Sequence, residues 1–164
     1  MIFHTATSLL IVVAALLSSA LPGHASLLPD IEGRIVGVHD GDTVTVLTAD
    51  KTQIKMRLEG IDAPELKQAF GARAKQELST LVFGKEVRVQ NKGHDRYKRT
   101  IGRILCEGVD VNLEMVKRGM AWRYVKYSKE PALIAAEIEA RTTKCGLWSE
   151  ENPIPPWEWR KGKH

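Results

Sequence analysis

Residues 34–47, Arg34-Ile35-Val36-Gly37-Val38-His39-Asp40-Gly41-Asp42-Thr43-Val44-Thr45-Val46-Leu47, decide the fold. Two runs rich in β-branched residues flank Asp40-Gly41, which predicts a hairpin because Asp-Gly suits the backbone angles of a tight turn. Residues 53–58 then alternate, with Ile54, Met56 and Leu58 on one face and Lys55 and Arg57 on the other. Residues 68–82 change period: Phe70, Ala74, Leu78, Leu81 and Val82 form one helical stripe, and Gly84 lies just past its end. Residues 86–90 and 100–106 alternate again and predict two more strands. Asn112 then caps a short helix that buries Leu113, Met115 and Val116 and stops at Gly119. Pro131 opens a last helix with Leu133, Ile134 and Ile138 as its buried face.

This order is three strands, a helix, two strands and two helices. Strands grouped with helices at the end indicate α+β rather than a parallel sheet. Five short strands with a helix inserted after the third predict a five-stranded OB-type β-barrel with three α-helices. Beyond it, Asn152-Pro153-Ile154-Pro155-Pro156-Trp157-Glu158-Trp159 is too rich in proline for regular helix or a central strand. The Pro/Trp-rich basic tail, residues 153–164, either wraps the domain or hangs free ahead of Arg160-Lys161-Gly162-Lys163.

At the other end, residues 9–17 are all apolar, a core too short to cross a bilayer, which takes about 20 such residues. Gly23-His24-Ala25 supplies small residues at −3 and −1, so residues 1–25 read as a signal peptide cleaved after Ala25, with an uncleaved membrane anchor as the competing reading. The expectation is a secreted or periplasmic protein, a monomer with no stable membrane association once cleaved. The leader holds no Asp, Glu, Lys or Arg, so the net charge of +4 belongs to the mature chain. A basic excess favours a polyanionic partner. The 43% apolar content supports an ordinary buried core and excludes a disordered chain.

Three segments gather charge beyond what turns require. Asp40-Gly41-Asp42-Thr43 is explained as a hairpin turn except for Asp42. In Arg57-Leu58-Glu59-Gly60-Ile61-Asp62-Ala63-Pro64-Glu65, an arginine ends a strand and a turn presents Asp62 and Glu65. Asp42 and Asp62 then fall on neighbouring strand ends and offer the hard oxygens that Ca²⁺ or Mg²⁺ prefers. Carboxylates alone would repel a phosphodiester, so this reading needs cations nearby. Lys92-Gly93-His94-Asp95-Arg96-Tyr97-Lys98-Arg99 supplies them, with Tyr97 as a base-stacking platform and Arg99 rigidly placed at a strand start. Taken alone, the first segment is most simply a hairpin turn and each of the other two a solvated loop.

Taken in order, Asp40-Gly41-Asp42-Thr43-Val44, Arg57-x-x-Gly60-Ile61-Asp62-Ala63-Pro64-Glu65 and Asp95-x-Tyr97-x-Arg99 resemble the signature of the staphylococcal nuclease family. Gly119-Met120-Ala121-Trp122 and Gly146-Leu147-Trp148-Ser149-Glu150 are similar to it too, and the resemblance runs over about residues 33–152 in one register. It implies a nuclease domain over residues 26–152 that hydrolyses DNA and RNA with one calcium ion, as an endonuclease cutting within the strand and leaving 3′-phosphates. By that resemblance Asp42 and Asp62 hold Ca²⁺ through their carboxylates and Ala63 through its main-chain carbonyl. Glu65 positions or deprotonates the attacking water, and Arg57 and Arg99 grip the phosphate. Arg96 and Tyr97 line the nucleotide site, and Tyr124 and Tyr127 flank it. Lys98 stands where the best-known member has glycine, and Ala63 where it has threonine.

A non-catalytic OB-type module that binds a polyanion is the competing reading. It would need the basic loop and the aromatics, but not Asp42, Asp62 and Glu65 beside two arginines. Two cysteines without a histidine cluster make a poor zinc site. In an exported chain Cys106 and Cys145 are expected to form a disulfide, closing about 40 residues and contributing about 4 kcal/mol in the chain-entropy model.

Overall fold

The computed structural model describes residues 28–163; the expected signal peptide lies outside the described residues. Five strands follow the alternation of apolar residues: β1 Ile31–Val38, β2 Thr43–Leu47, β3 Gln53–Leu58, β5 Glu86–His94 and β6 Thr100–Cys106. Four antiparallel pairings give the spatial order β3-β2-β1-β5-β6. A parallel pairing, Met56 with Thr100 and Leu58 with Gly102, closes β3 onto β6 and makes a barrel. Ile35, Val44, Val46, Met56, Leu58, Val89 and Ile104 point into it and are fully buried. Closure leaves no free edge among these five strands. The α+β, OB-type expectation therefore holds.

Two strands extend further than alternation indicated, β1 back to Ile31 and β5 on to His94. Three two-residue strands join them: β4 Ile61–Asp62, β7 Val109–Asp110 and β8 Trp122–Arg123. β4 pairs with β8 and ties the loop after β3 to the segment before the last helix. Elements this short carry no periodicity, so the sequence alone does not reveal them.

The three substantial helices are α1 Gly71–Val82, α2 Val111–Lys117 and α3 Pro131–Thr142. α1 buries Ala74, Leu78 and Val82 against the barrel. It begins at Gly71 rather than at residue 68, because residues 65–70 form a tight turn. There Gln68 N–H donates to Glu65 O at 2.8 Å, and Gly71 N–H to Gln68 O at 2.9 Å. A Cβ at Gly71 would lie 1.9 Å from Glu65 O, so any side chain there would push this turn apart.

α2 is capped by Asp110, whose carboxylate accepts the Leu113 N–H at 3.0 Å, and not by Asn112. Asn112 is fully buried instead. Its Oδ1 accepts from Ile104 N–H at 3.1 Å, and its amide donates to Glu59 O and Gly102 O at 2.9 and 3.2 Å. It thus stitches the end of β3 to β6, the seam that closes the barrel.

α3 buries Leu133, Ala136, Glu137 and Ala140, while Ile138 is 60% exposed. The expected Ile134–Ile138 face is turned outward. Two alanines permit close approach to neighbouring elements. Glu137 must also face inward, to accept the Arg123 N–H and sit near the Arg123 and Arg141 guanidiniums.

The expected Cys106–Cys145 disulfide is not formed, and both thiols are free. Cys106 belongs to the barrel core with its Sγ 3.6 Å from Leu81 O. Cys145 packs in a separate cluster around Trp122, Ala140, Leu147 and Trp148, its Sγ 3.3 Å from Arg118 O. Two cores hold them apart. The tail also departs from expectation, since Pro156–Trp159 makes one helical turn, α4, with its first residue a proline that needs no donor there. Trp157 packs edge-on to Trp122 at 5.6 Å, so the tail wraps the domain.

Asn112→Ala is expected to cost about 2–3 kcal/mol, because the buried Ile104 N–H and the part-buried Glu59 carbonyl lose their partner. Urea denaturation measures it, and a loss below about 1 kcal/mol would remove the seam role assigned to this side chain.

Candidate active site

Closing β3 onto β6 sets the site. Asp42 ends the β1–β2 turn, and its carbonyl accepts the Leu58 N–H at 2.8 Å, which fixes the turn against the end of β3. Gly41 within that turn is not in a left-handed conformation. Glycine is needed there for space instead: a Cβ would stand 2.6 Å from that of Ala63 and 2.7 Å from that of Ala74. The Asp-Gly pair thus serves to seat the turn on residue 63 rather than to supply a glycine-only angle.

Arg57 occupies the gap that results. Its NH1 donates to Asp42 Oδ1, and its NH2 to Asp62 Oδ1 at 2.7 Å and Ile61 O at 3.3 Å. Asp42 is 3% exposed and Asp62 fully buried. Asp42 further accepts the Ala63 N–H at 2.8 Å and the Thr43 hydroxyl at 3.1 Å. Burial opposes the charge on Arg57, but the two carboxylates hold it protonated well above the ordinary range. Burial pushes the Asp62 carboxyl up, against the pull of Arg160 and Arg57. Asp40, which accepts the Asp42 N–H at 3.0 Å, is raised to about 6, first by burial and then by the Asp42 charge. Arg57 therefore contacts more than the phosphate that the resemblance assigns to it. Arg57 is also the counter-ion of both metal-candidate carboxylates.

Glu65 sits one turn on, its N–H donating to Gln68 Oε1 at 3.1 Å. Its carboxylate meets a group that sequence reasoning missed. Arg160 NH1 donates to Glu65 Oε1 at 2.7 Å and to Asp62 Oδ1 at 3.2 Å, and its NH2 to Asp62 Oδ2 at 2.7 Å. Arg160 lies in the basic tail, to which the sequence alone assigns no place in the site. The signal that points to it is the aromatic-proline run just before it, which gives the tail something to pack.

Arg99 stands apart from this cluster. The parallel pairing of Arg57 with Ile101 puts Arg99, two residues before Ile101, on the same outer face as Arg57. Its guanidinium is tied to Asp95, with Nε 2.7 Å from Oδ2. Asp95 also accepts the N–H groups of Tyr97 and Arg99 at 2.8 and 3.0 Å, so this one carboxylate shapes the loop. Burial would raise the Asp95 pKa, but these bonds take it below the ordinary value. Lys98 adopts φ 63°, a left-handed conformation that glycine takes freely and that costs a lysine about 1 kcal/mol.

Tyr97 is 64% exposed, with the Arg96 guanidinium 4.8 Å from its ring centre. Tyr124 and Tyr127 pack edge to face at 4.8 Å. Trp157 lies parallel to Tyr124 at 5.4 Å and 7°, covering one of its faces. The structure thus joins Asp42, Arg57, Asp62, Ala63 and Glu65 into one hydrogen-bonded cluster. Arg96, Tyr97 and Arg99 form a second group on the β5–β6 loop, and Tyr124 and Tyr127 a third beyond β8.

Among the described residues, no three or more His, Cys, Asp or Glu side chains converge as a ready-made metal cage. The donor set still fits a hard cation. Two buried carboxylates and the Ala63 carbonyl are all oxygens, and water can complete such a shell. Asp40, Asp42, Asp62 and Glu65 also outnumber Arg57 and Arg160, so the cluster carries an excess of negative charge when all are ionised.

A family model described as staphylococcal nuclease homologue matches residues 55–150. An uncharacterized endonuclease of Haemophilus influenzae is 48% identical over 128 residues, 78% of this chain and 72% of its own. A micrococcal nuclease of Shigella flexneri is 43% identical over 143 residues, 80% of this chain and 82% of its own. The staphylococcal-like nuclease CAN1 of Arabidopsis thaliana is 46% identical over 111 residues, 68% of this chain but 34% of its own.

The raised Asp40 pKa gives a pH-dependent test. Its folded value of about 6 exceeds the ordinary aspartate value of 3.8, so stability contributed by the protonated form is full below about 4 and is lost as pH rises through 6. Asp40→Asn keeps the acceptor and removes the charge. In metal-free buffer it should stabilise the protein by about 1–2 kcal/mol near neutrality and by almost nothing near pH 4. Equal effects at both pH values in denaturant titrations would contradict the assignment.

Proposed function

This chain belongs to the staphylococcal nuclease family, and with that as the premise we propose that it hydrolyses phosphodiester bonds of DNA and RNA with one calcium ion, as an endonuclease leaving 3′-phosphates. The observation that carries this reading is a buried pair of carboxylates, Asp42 and Asp62, bridged by Arg57. A binding module has no use for two buried carboxylates beside an anionic ligand. Desolvating them costs free energy that a polyanion would increase.

Asp42, Asp62 and the Ala63 carbonyl would hold the calcium ion. When bound, it supplies Lewis-acid charge that offsets the anionic phosphodiester and its more highly charged transition state. The chain's own groups do the rest. Arg57 is locked by its carboxylates, so its remaining N–H donors meet a phosphate oxygen without loss of side-chain freedom. Arg99 is held the same way by Asp95, on the same outer face, and supplies a second fixed donor set. Glu65 is 40% exposed, so solvent reaches its carboxylate. Its backbone is fixed by Gln68 on both sides. It accepts a hydrogen bond from a water and takes or directs that water's proton as the oxygen approaches phosphorus. Tyr97, Arg96 and Tyr127 are exposed and offer stacking and charge to a nucleotide without reading its base, which suits action on both nucleic acids.

The two arginines should fail differently. Arg57→Ala and Arg99→Ala are each expected to lower kcat on DNA by about 10³ or more, the scale of transition-state arginines elsewhere. Arg57→Ala should in addition cost about 3 kcal/mol of stability in calcium-free buffer, because Asp42 and Asp62 then face each other without a counter-ion. Added calcium should restore most of that loss, and Arg99→Ala should need no such rescue. Activity assays paired with thermal melts, with and without calcium, measure both effects. Near-normal kcat in folded Arg57→Ala and Arg99→Ala would reduce the site to a binding surface.

A further inference from the structure

We propose that Arg160, delivered by the C-terminal tail, is a positioning residue of the active site that competes with the divalent cation for Asp62. Cation binding and withdrawal of this guanidinium are then one equilibrium. The inference rests on the calcium reading above and concerns a residue outside the stretch matched by the family model, which ends at residue 150.

The geometry is that of one cation standing where another belongs. Both oxygens of the buried Asp62 carboxylate accept from Arg160, at 2.7 and 3.2 Å, and Oδ1 also accepts from Arg57. A divalent ion would approach the same oxygens to about 2.3–2.6 Å. It cannot reach Oδ2, the oxygen that Arg57 leaves uncovered, while Arg160 occupies it, and two like charges at that separation repel. Asp62 is fully buried and paired within the β4–β8 ribbon, so it cannot turn away to serve both. Arg160 can: its side chain is 41% exposed and opens directly to solvent.

The tail is built to hold Arg160 in place. Gln68 Nε2 donates to Ile154 O at 2.5 Å, and Gln68 is the same residue that fixes the Glu65 backbone. Trp157 stacks on Tyr124 and packs edge-on to Trp122. The single turn of α4 then aims Arg160, whose N–H donates to Pro156 O at 3.0 Å. The neighbouring cations do not share the task. Lys161 and Lys163 both pair with Glu158, leaving Arg160 as the tail cation that reaches the site among those described. Because NH1 bridges Asp62 and Glu65, its withdrawal also frees Glu65 for water. Arg160 therefore couples occupancy of the cation site to the readiness of the base.

Calorimetric calcium titration of the purified protein, its Arg160→Ala variant and its Arg160→Lys variant tests this, with thermal melts at zero and saturating calcium. Removing the competitor should lower the calcium Kd about tenfold, the scale of a charge-assisted bond pair. In calcium-free buffer Arg160→Ala should melt below wild type, and saturating calcium should erase the difference. Lysine cannot make the bidentate contact, so Arg160→Lys should bind calcium with intermediate affinity. It decides the matter should the alanine variant fail to fold. An unchanged or weaker calcium affinity, with a lower melting temperature at every calcium level, would overturn the proposal and make Arg160 a structural strut. No calcium binding by any of the three proteins would overturn the calcium reading itself, and the competition with it.

Discussion

Arg57 lies between Asp42 and Asp62, and the remainder of the site depends on that bridge. Two carboxylates with almost no solvent exposure cannot stay ionised side by side without a cation between them. The cost of burying them is met by one guanidinium held at the end of β3, which is also where the barrel closes onto β6. Fold closure and site assembly are therefore the same event. Strand register brings Arg57 to Ile101, and Arg99 follows two residues upstream on that face. Asn112 locks the seam from the inside through Glu59, Gly102 and Ile104.

Close backbone approach completes the arrangement. Asp42 reaches Ala63 N–H because Gly41 has no side chain to hold the turn away from residues 63 and 74. Glu65 is fixed because Gly71 lets the start of α1 lie against its carbonyl. Neither glycine is there for a left-handed angle. Gly41 leaves room for the Asp42 carboxylate to reach its partner, and Gly71 leaves room for the helix start to lie against the Glu65 backbone carbonyl.

Much of this was legible in the sequence, and the parts that were not share a cause. Alternation at 43–47, 53–58 and 100–106 and the period change into α1 follow from burial on one face, which a linear pattern records. Asp42, Arg57, Asp62 and Glu65 stood out because turns do not need them. What a linear pattern does not record is which polar group another polar group will meet. Asn112 looked like a cap and is a buried three-way bridge. α3 turned outward its isoleucines because Glu137 had to reach Arg123, a contact between residues 14 apart with no shared motif. The two cysteines, read by compartment alone, lie in separate hydrophobic clusters. Arg160 is 98 residues from Asp62 and reaches it through Trp157, whose packing partners Trp122 and Tyr124 lie more than 30 residues earlier in the chain.

The account centres on the claim that Asp42 and Asp62 together form a cation platform, and not only a structural ion pair with Arg57. Calorimetric titration of calcium into the Asp42→Asn/Asp62→Asn double variant tests it most directly, since the amides keep size while removing both charges and one acceptor oxygen from each side chain. The account predicts one calcium ion per chain for the unmodified protein and no measurable binding for the folded double variant. Calcium binding of unchanged stoichiometry and affinity in that variant would contradict it, and would place the ion elsewhere on the molecule.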